Sequence, residues 1–140
     1  MQNHEPWLKI ARDDLLSARA LLKLDFLSNA SYLCEQSAEK SLKAYLVFKK
    51  QSITKTHDLL MLLERCMQFD RDFGRLFDAA DYLNPFSTKF RYPSEYNDVP
   101  GTADIELAVK HAQRIMNFVK RKITGPLTGQ IDIFDGVDVG

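Results

Sequence analysis

Arg91, Tyr92 and Tyr96 stand close together in the stretch KFRYPSEYN, with Phe90 just before them and Pro93 between. These residue types suit one kind of chemistry. An arginine grips a phosphate or carboxylate with two parallel hydrogen bonds. Tyrosine and phenylalanine rings stack on bases, at about 1–3 kcal/mol per base. Pro93 fixes its own φ and keeps its neighbour extended, which stiffens the turn. Arginine, aromatics and proline together suit a nucleotide or an RNA end. The plain alternative is a loop whose aromatics pack over a core while Arg91 bonds to backbone carbonyls.

Two further groups carry polar potential. In EQSAEKSLKAYL, Gln36, Lys40 and Lys43 fall at steps of four and three and share a helix face. This face can offer lysines to phosphate, or it can be a solvated surface with a Glu39–Lys43 ion pair. In KTHDL, His57 opens an apolar run. A histidine in the first turn of a helix sits at the positive end of the dipole, which disfavours its charged form. It suits a ligand contact, or a packing bond to a neighbouring helix. His4 falls in the N-terminal tail and His111 beside Lys110 on a solvated face. There is no Gly-rich phosphate loop, no His-Glu-x-x-His and no Cys-x-x-Cys.

These residues must be positioned by helices. A first helix is expected over about 6–24, with Trp7, Ala11, Leu15, Ala18 and Leu22 on one face. A second is expected over about 29–50, capped by Ser28 or Asn29. Its wide face, Ala30, Leu33, Cys34, Ser37, Ala38, Ser41, Leu42, Tyr45 and Leu46, is rich in small residues and admits close approach by another helix. Thr56 reads as the cap of a third helix with Leu59, Leu62, Leu63, Cys66 and Met67 as its stripe. Asp70 or Asp72 reads as the cap of a fourth, which Gly74 weakens by about 1 kcal/mol. Thr102 reads as the cap of a fifth, with Ile105, Ala108, Ala112, Ile115, Met116 and Val119 inward. Between the fourth and fifth lies the aperiodic stretch 84–100, longer than a compact domain usually carries without a function. The expected fold is all-α: an up-and-down bundle of four to five helices, with one long loop before the last helix and an irregular C-terminal tail. The bundle spans 6–122 and the acidic, apolar tail 123–140.

The 140 residues make one domain, large enough for a core without staples. Nineteen basic residues balance nineteen acidic ones, unlike a general nucleic-acid coat. The tail holds Asp132, Asp135 and Asp138 and no Lys or Arg, so the helical body is +3, a balance that permits a local phosphate site without requiring one. The spacing of those aspartates lacks the oxygen-rich loop that calcium needs. Cys34 and Cys66 fall inside apolar helical patterns and read as reduced core cysteines of a cytoplasmic protein. No apolar run reaches the length of a membrane span, and the N-terminus lacks the layout of a signal peptide.

The order WLKIA…DL…A from Trp7, QSAEKSLKAYL from Gln36 to Leu46, THDL from Thr56 and RYP from Arg91 resembles the HEPN domain family, in a likeness covering about 6–122. The resemblance implies an up-and-down helical bundle, usually a homodimer. It implies binding of a nucleotide or RNA, with no metal or cofactor. It also implies a minimal nucleotidyltransferase partner encoded nearby, in a toxin–antitoxin-like pair. Many members are metal-independent ribonucleases with an arginine, then four to six residues, then a histidine. Here Arg91 matches the arginine, but Tyr96 stands where the histidine belongs. Tyrosine, with an ordinary pKa near 10, is a poor proton shuttle at neutral pH. The resemblance therefore carries over binding and no catalytic residue: Lys40, Lys43 and Arg91 for charge, Tyr92 and Tyr96 for stacking, His57 for a polar contact. The alternatives are a divergent ribonuclease using Arg91, and a protein-interaction module.

Overall fold

The computed structural model describes residues 3–53, 55–93 and 99–125. Among these the chain is all-helical: α1 (Glu5–Lys23), α2 (Leu27–Phe48), α3 (Leu59–Met67), α4 (Phe77–Leu83) and α5 (Thr102–Thr124), with short 3-10 segments at Arg71–Leu76 and Asn84–Ser87. The tail beyond Gly125 lies outside the described residues, and α5 runs two residues past the expected boundary at 122. None of the described helices is long and apolar enough to cross a membrane.

The helix at the centre is α2, which packs against α1, α3, α4, α5 and the Asn84–Ser87 turn. Its small residues permit this. Ala30, Ser37, Ala38, Ser41 and Ala44 are all buried, and Ser37 Oγ donates to the Ala11 carbonyl of α1 at 2.7 Å. From α1 come Ala11, Leu15 and Ala18; from α5 come Ile105, Ala108, Val109, Ala112, Ile115, Met116 and Val119. Each fully buried leucine or isoleucine contributes about 1.5–3 kcal/mol. Cys34 and Cys66 are buried thiols, and burial pushes each up to about 12, so both behave as small hydrophobes.

Several helix starts differ from the sequence expectation. Ser28 and Asn29 lie inside α2, which begins at Leu27 without a side-chain cap. Asp58, not Thr56, caps α3: its carboxylate accepts from the N–H groups of Leu60 and Met61, while Thr56 Oγ1 accepts from the Asp58 N–H. His57 therefore precedes the cap instead of occupying the first turn. Gly101 is the N-cap of α5, and the Asp104 carboxylate accepts from its N–H at 3.1 Å, leaving Thr102 as the first helical residue. Asp70 does cap the fourth segment, accepting from the Asp72 N–H. That segment starts as a 3-10 turn through Gly74 before α4 begins. Met67 is exposed; its methyl carbon lies where a Cβ on Gly74 would meet it at 3.3 Å.

Helices α1 and α2 end in the same closure. Asp25 (φ 70°) and Lys50 (φ 61°) are left-handed, and the next N–H in each case reaches back to the carbonyl of Leu21 or Leu46. Glycine adopts this conformation without the Cβ clash that lysine meets. Lys50 is exposed, so Lys50→Gly is expected to raise stability by about 0.5–1 kcal/mol, after the extra chain entropy of glycine is allowed for. Urea unfolding checks this, and a lowered midpoint would show a stabilising role for the lysine side chain.

Candidate functional site

One edge of α2 carries a polar stripe. Tyr32, Gln36, Lys40 and Lys43 recur at steps of four, four and three, interleaved with Glu35 and Glu39. The rise of a helix makes this stripe about 16 Å long.

At its C-terminal end the charges are buried and mutually committed. Glu39 is 3% exposed; its Oε2 accepts from Lys43 Nζ at 3.1 Å, and its Oε1 lies 2.9 Å from His57 Nδ1. The rest of the His57 ring faces solvent, with 71% of the side chain exposed. Lys40 Nζ donates to Gln36 Oε1 and to Asp14 Oδ2 of α1, at 3.3 Å for the latter. Burial raises the Asp14 carboxyl above its ordinary value, although Lys40 opposes this. Glu35 is fully buried. Gln36 Nε2 donates to its Oε1 at 2.8 Å, but its Oε2 has no partner. Burial first, and then the neighbouring Glu39, push Glu35 up to about 8 against the bond from Gln36 and the attraction of Lys40 and Lys43.

The loop is tied to this end of the stripe. Asn84, its first residue, accepts from the Leu59 N–H through Oδ1 (2.9 Å) and donates from Nδ2 to Asp58 Oδ1 (3.1 Å). The loop is thereby pinned beside His57. It is less irregular than its sequence suggests: Asn84–Ser87 forms a 3-10 turn, Phe86 is buried, and Phe90 packs on the core with its ring 5.7 Å from that of Phe86. The chain then reaches the N-terminal end of the stripe. There the Arg91 guanidinium lies 4.0 Å from the centre of the Tyr32 ring. No carboxylate among the described residues pairs with Arg91, which is exposed. A guanidinium stacked through its face keeps its N–H edge available for an anion. Tyr92 is exposed beside it, and Tyr96 lies outside the described residues.

The structure thus places His57, Lys43 and Lys40 at one end of a single α2 edge and Arg91 at the other. Lys40 and Lys43 hold carboxylates. Sequence reading missed Tyr32, Asn84 and the buried acid Glu35, and it read the Glu39–Lys43 pair as solvated where the structure buries it. The spacing of Tyr32 four residues before Gln36 was the available signal for the first; nothing local marks Asn84 as an anchor. His111 is half-buried against Tyr82 (5.1 Å between rings) instead of solvated, and burial lowers its pKa.

Residues 4–122 match the family model of the HEPN domain. Among solved structures, the fold is similar to an archaeal HEPN homologue, at 28% identity and a TM-score of 0.67, over 88% of this chain and 99% of that one. It is also similar to a Thermus thermophilus protein, at 28% identity and a TM-score of 0.74, over 87% of this chain and 99% of the other. No curated protein matches the chain.

Proposed function

Because the chain belongs to the HEPN domain family, we propose that it is a non-catalytic member that binds the phosphate of a nucleotide or of an RNA end. The observation that carries this reading is Arg91: exposed, stacked on Tyr32, and without a carboxylate partner among the described residues. Its free N–H edge takes the phosphate, and Tyr92 beside it, together with Tyr96, offers a ring to the base. Lys43 and His57 hold the buried Glu39 and Lys40 holds Asp14 of α1, so these three add basic character along the same α2 edge. The tyrosine at position 96 is what argues against catalysis, since no imidazole follows Arg91 at the ribonuclease spacing. In this reading the protein is a homodimer and acts with a minimal nucleotidyltransferase in a toxin–antitoxin-like pair.

Titration with ATP and with a short single-stranded RNA, following binding and RNA integrity together, tests the proposal. Binding without cleavage is expected. Arg91→Ala is expected to weaken it by about tenfold or more, since hydrogen bonds to charged groups contribute about 1.5–3 kcal/mol. Cleavage that disappears in Arg91→Ala would replace this reading with a ribonuclease. Absence of binding would leave the loop a packing element and favour a protein-interaction module.

A further inference from the structure

A second basic surface lies on α5, apart from the α2 stripe. Lys110, Arg114, Asn117 and Arg121 recur at steps of four, three and four and share one face. Two hollows, of about 360 and 660 Å³, open along this face and share Arg114 and Arg121 in their walls. Arg19 of α1 and Lys110 flank the first; Arg75 and Lys122 flank the second. Together they form a trough with six basic side chains and one acidic one, Asp72, in its lining.

Some of these cations are committed. Asp78 pairs with Arg114 at 3.2 Å, and Asp70 and Asp72 both hold Lys122 at 2.8 Å. Arg114 also donates to the Arg75 carbonyl, and Arg19 to Gln113 Oε1. These bonds fix the walls. Arg75, Lys110 and Arg121 are exposed and have no acidic partner among the described residues. Phe118 forms part of the floor, half-buried, with its ring 4.9 Å from that of Phe73 in an edge contact and the Lys122 ammonium 5.4 Å from its centre. From Lys110 to Arg121 the trough runs about 16 Å along the helix. A single phosphate needs far less; a chain of phosphates fits.

We propose that this trough binds the backbone of a single-stranded nucleic acid, with Arg75, Lys110 and Arg121 gripping successive phosphates. Positive charge tracking a line in a groove is the arrangement that follows a single-stranded backbone. Arginine forks match phosphate oxygens in pairs. The chain is neutral overall, so this binding is local and does not follow from net charge. It is independent of the Arg91 reading.

The test uses the full chain, a short single-stranded RNA, DNA of the same sequence, polyglutamate and ATP. Binding of both oligonucleotides is expected to weaken with salt, by about 0.7 in log–log slope per phosphate contacted. Lys110→Ala combined with Arg121→Ala should weaken oligonucleotide binding about tenfold or more and make the slope shallower by about 1.4. ATP binding, read at the Arg91 site, should be unchanged in that variant. Arg75→Ala alone should give a smaller loss and serves if the double variant does not fold. Oligonucleotide binding that ignores these substitutions, or is absent in the wild type at low salt, overturns the proposal. So does polyglutamate competing as well as RNA, which would assign the trough to an acidic protein. ATP failing to bind while oligonucleotides bind through Lys110 and Arg121 would remove the Arg91 reading and leave this one standing.

Discussion

Glu35→Gln is expected to stabilise the protein at pH 8 and above by on the order of 2–4 kcal/mol, and to abolish a pH dependence the wild type shows. Glu35 is fully buried with one carboxylate oxygen unpartnered, and its pKa rises from 4.5 to about 8 on folding. Between those values the folded state holds a proton that the unfolded chain has released. Stability therefore falls as pH rises from about 4.5 to about 8 and is level above that. Each pKa unit corresponds to about 1.36 kcal/mol, so the full difference approaches 4–5 kcal/mol; relaxation of the surroundings sets the smaller expected figure. Glutamine keeps the shape and the acceptor for Gln36 while removing the charge. Urea unfolding at both ends of this pH range measures the slope. A wild type whose stability rises over the same range would mean that Glu35 is ionised in the folded protein and finds compensation elsewhere.

Lys43→Met is expected to destabilise by about 3–5 kcal/mol, the usual result of removing one member of a buried ion pair. Lys43 and Glu39 have side chains only 7% and 3% exposed, so water cannot replace the lost partner. Methionine keeps the apolar stem, leaving the charge as the main change. Adding Glu39→Gln should recover part of the loss, because the stranded carboxylate is then gone. The double variant is expected to be more stable than the sum of the singles predicts, by about 1–3 kcal/mol. A loss below about 1 kcal/mol in Lys43→Met would place the pair among solvent-screened surface pairs.

The helices were legible in sequence because their inward faces repeat with the helical period: Ala11, Leu15 and Ala18 in α1, and Ile105 through Val119 in α5, are buried as their spacing requires. Caps were less legible. Thr56 and Thr102 favour a cap, but so do Asp58 and Gly101, which hold those positions, with Asn84 bonded to Asp58 across the fold; α2 starts at Leu27 with no side-chain cap at all. The Glu39–Lys43 spacing could be read, but not its burial, which comes from helices packing over α2. The Asp14–Lys40 bond and the seat of Arg91 on Tyr32 join residues far apart in the chain, and no local pattern announces either. In sequence Phe90 reads either as a stacking ring or as a packing one; in the fold it packs on the core beside the buried Phe86 and anchors the loop.

That anchoring changes the cost of recognition. A free arginine on a mobile loop surrenders its rotational freedom when it captures an anion, a loss of about 0.5–1.5 kcal/mol for a long side chain. Arg91 is restrained before any ligand arrives: Asn84 fixes the base of its loop, Phe86 and Phe90 fix the middle, and the Tyr32 ring supports the guanidinium. Most of the ordering is done when the chain folds. What remains for a phosphate is desolvation and two hydrogen bonds to a fork already at rest.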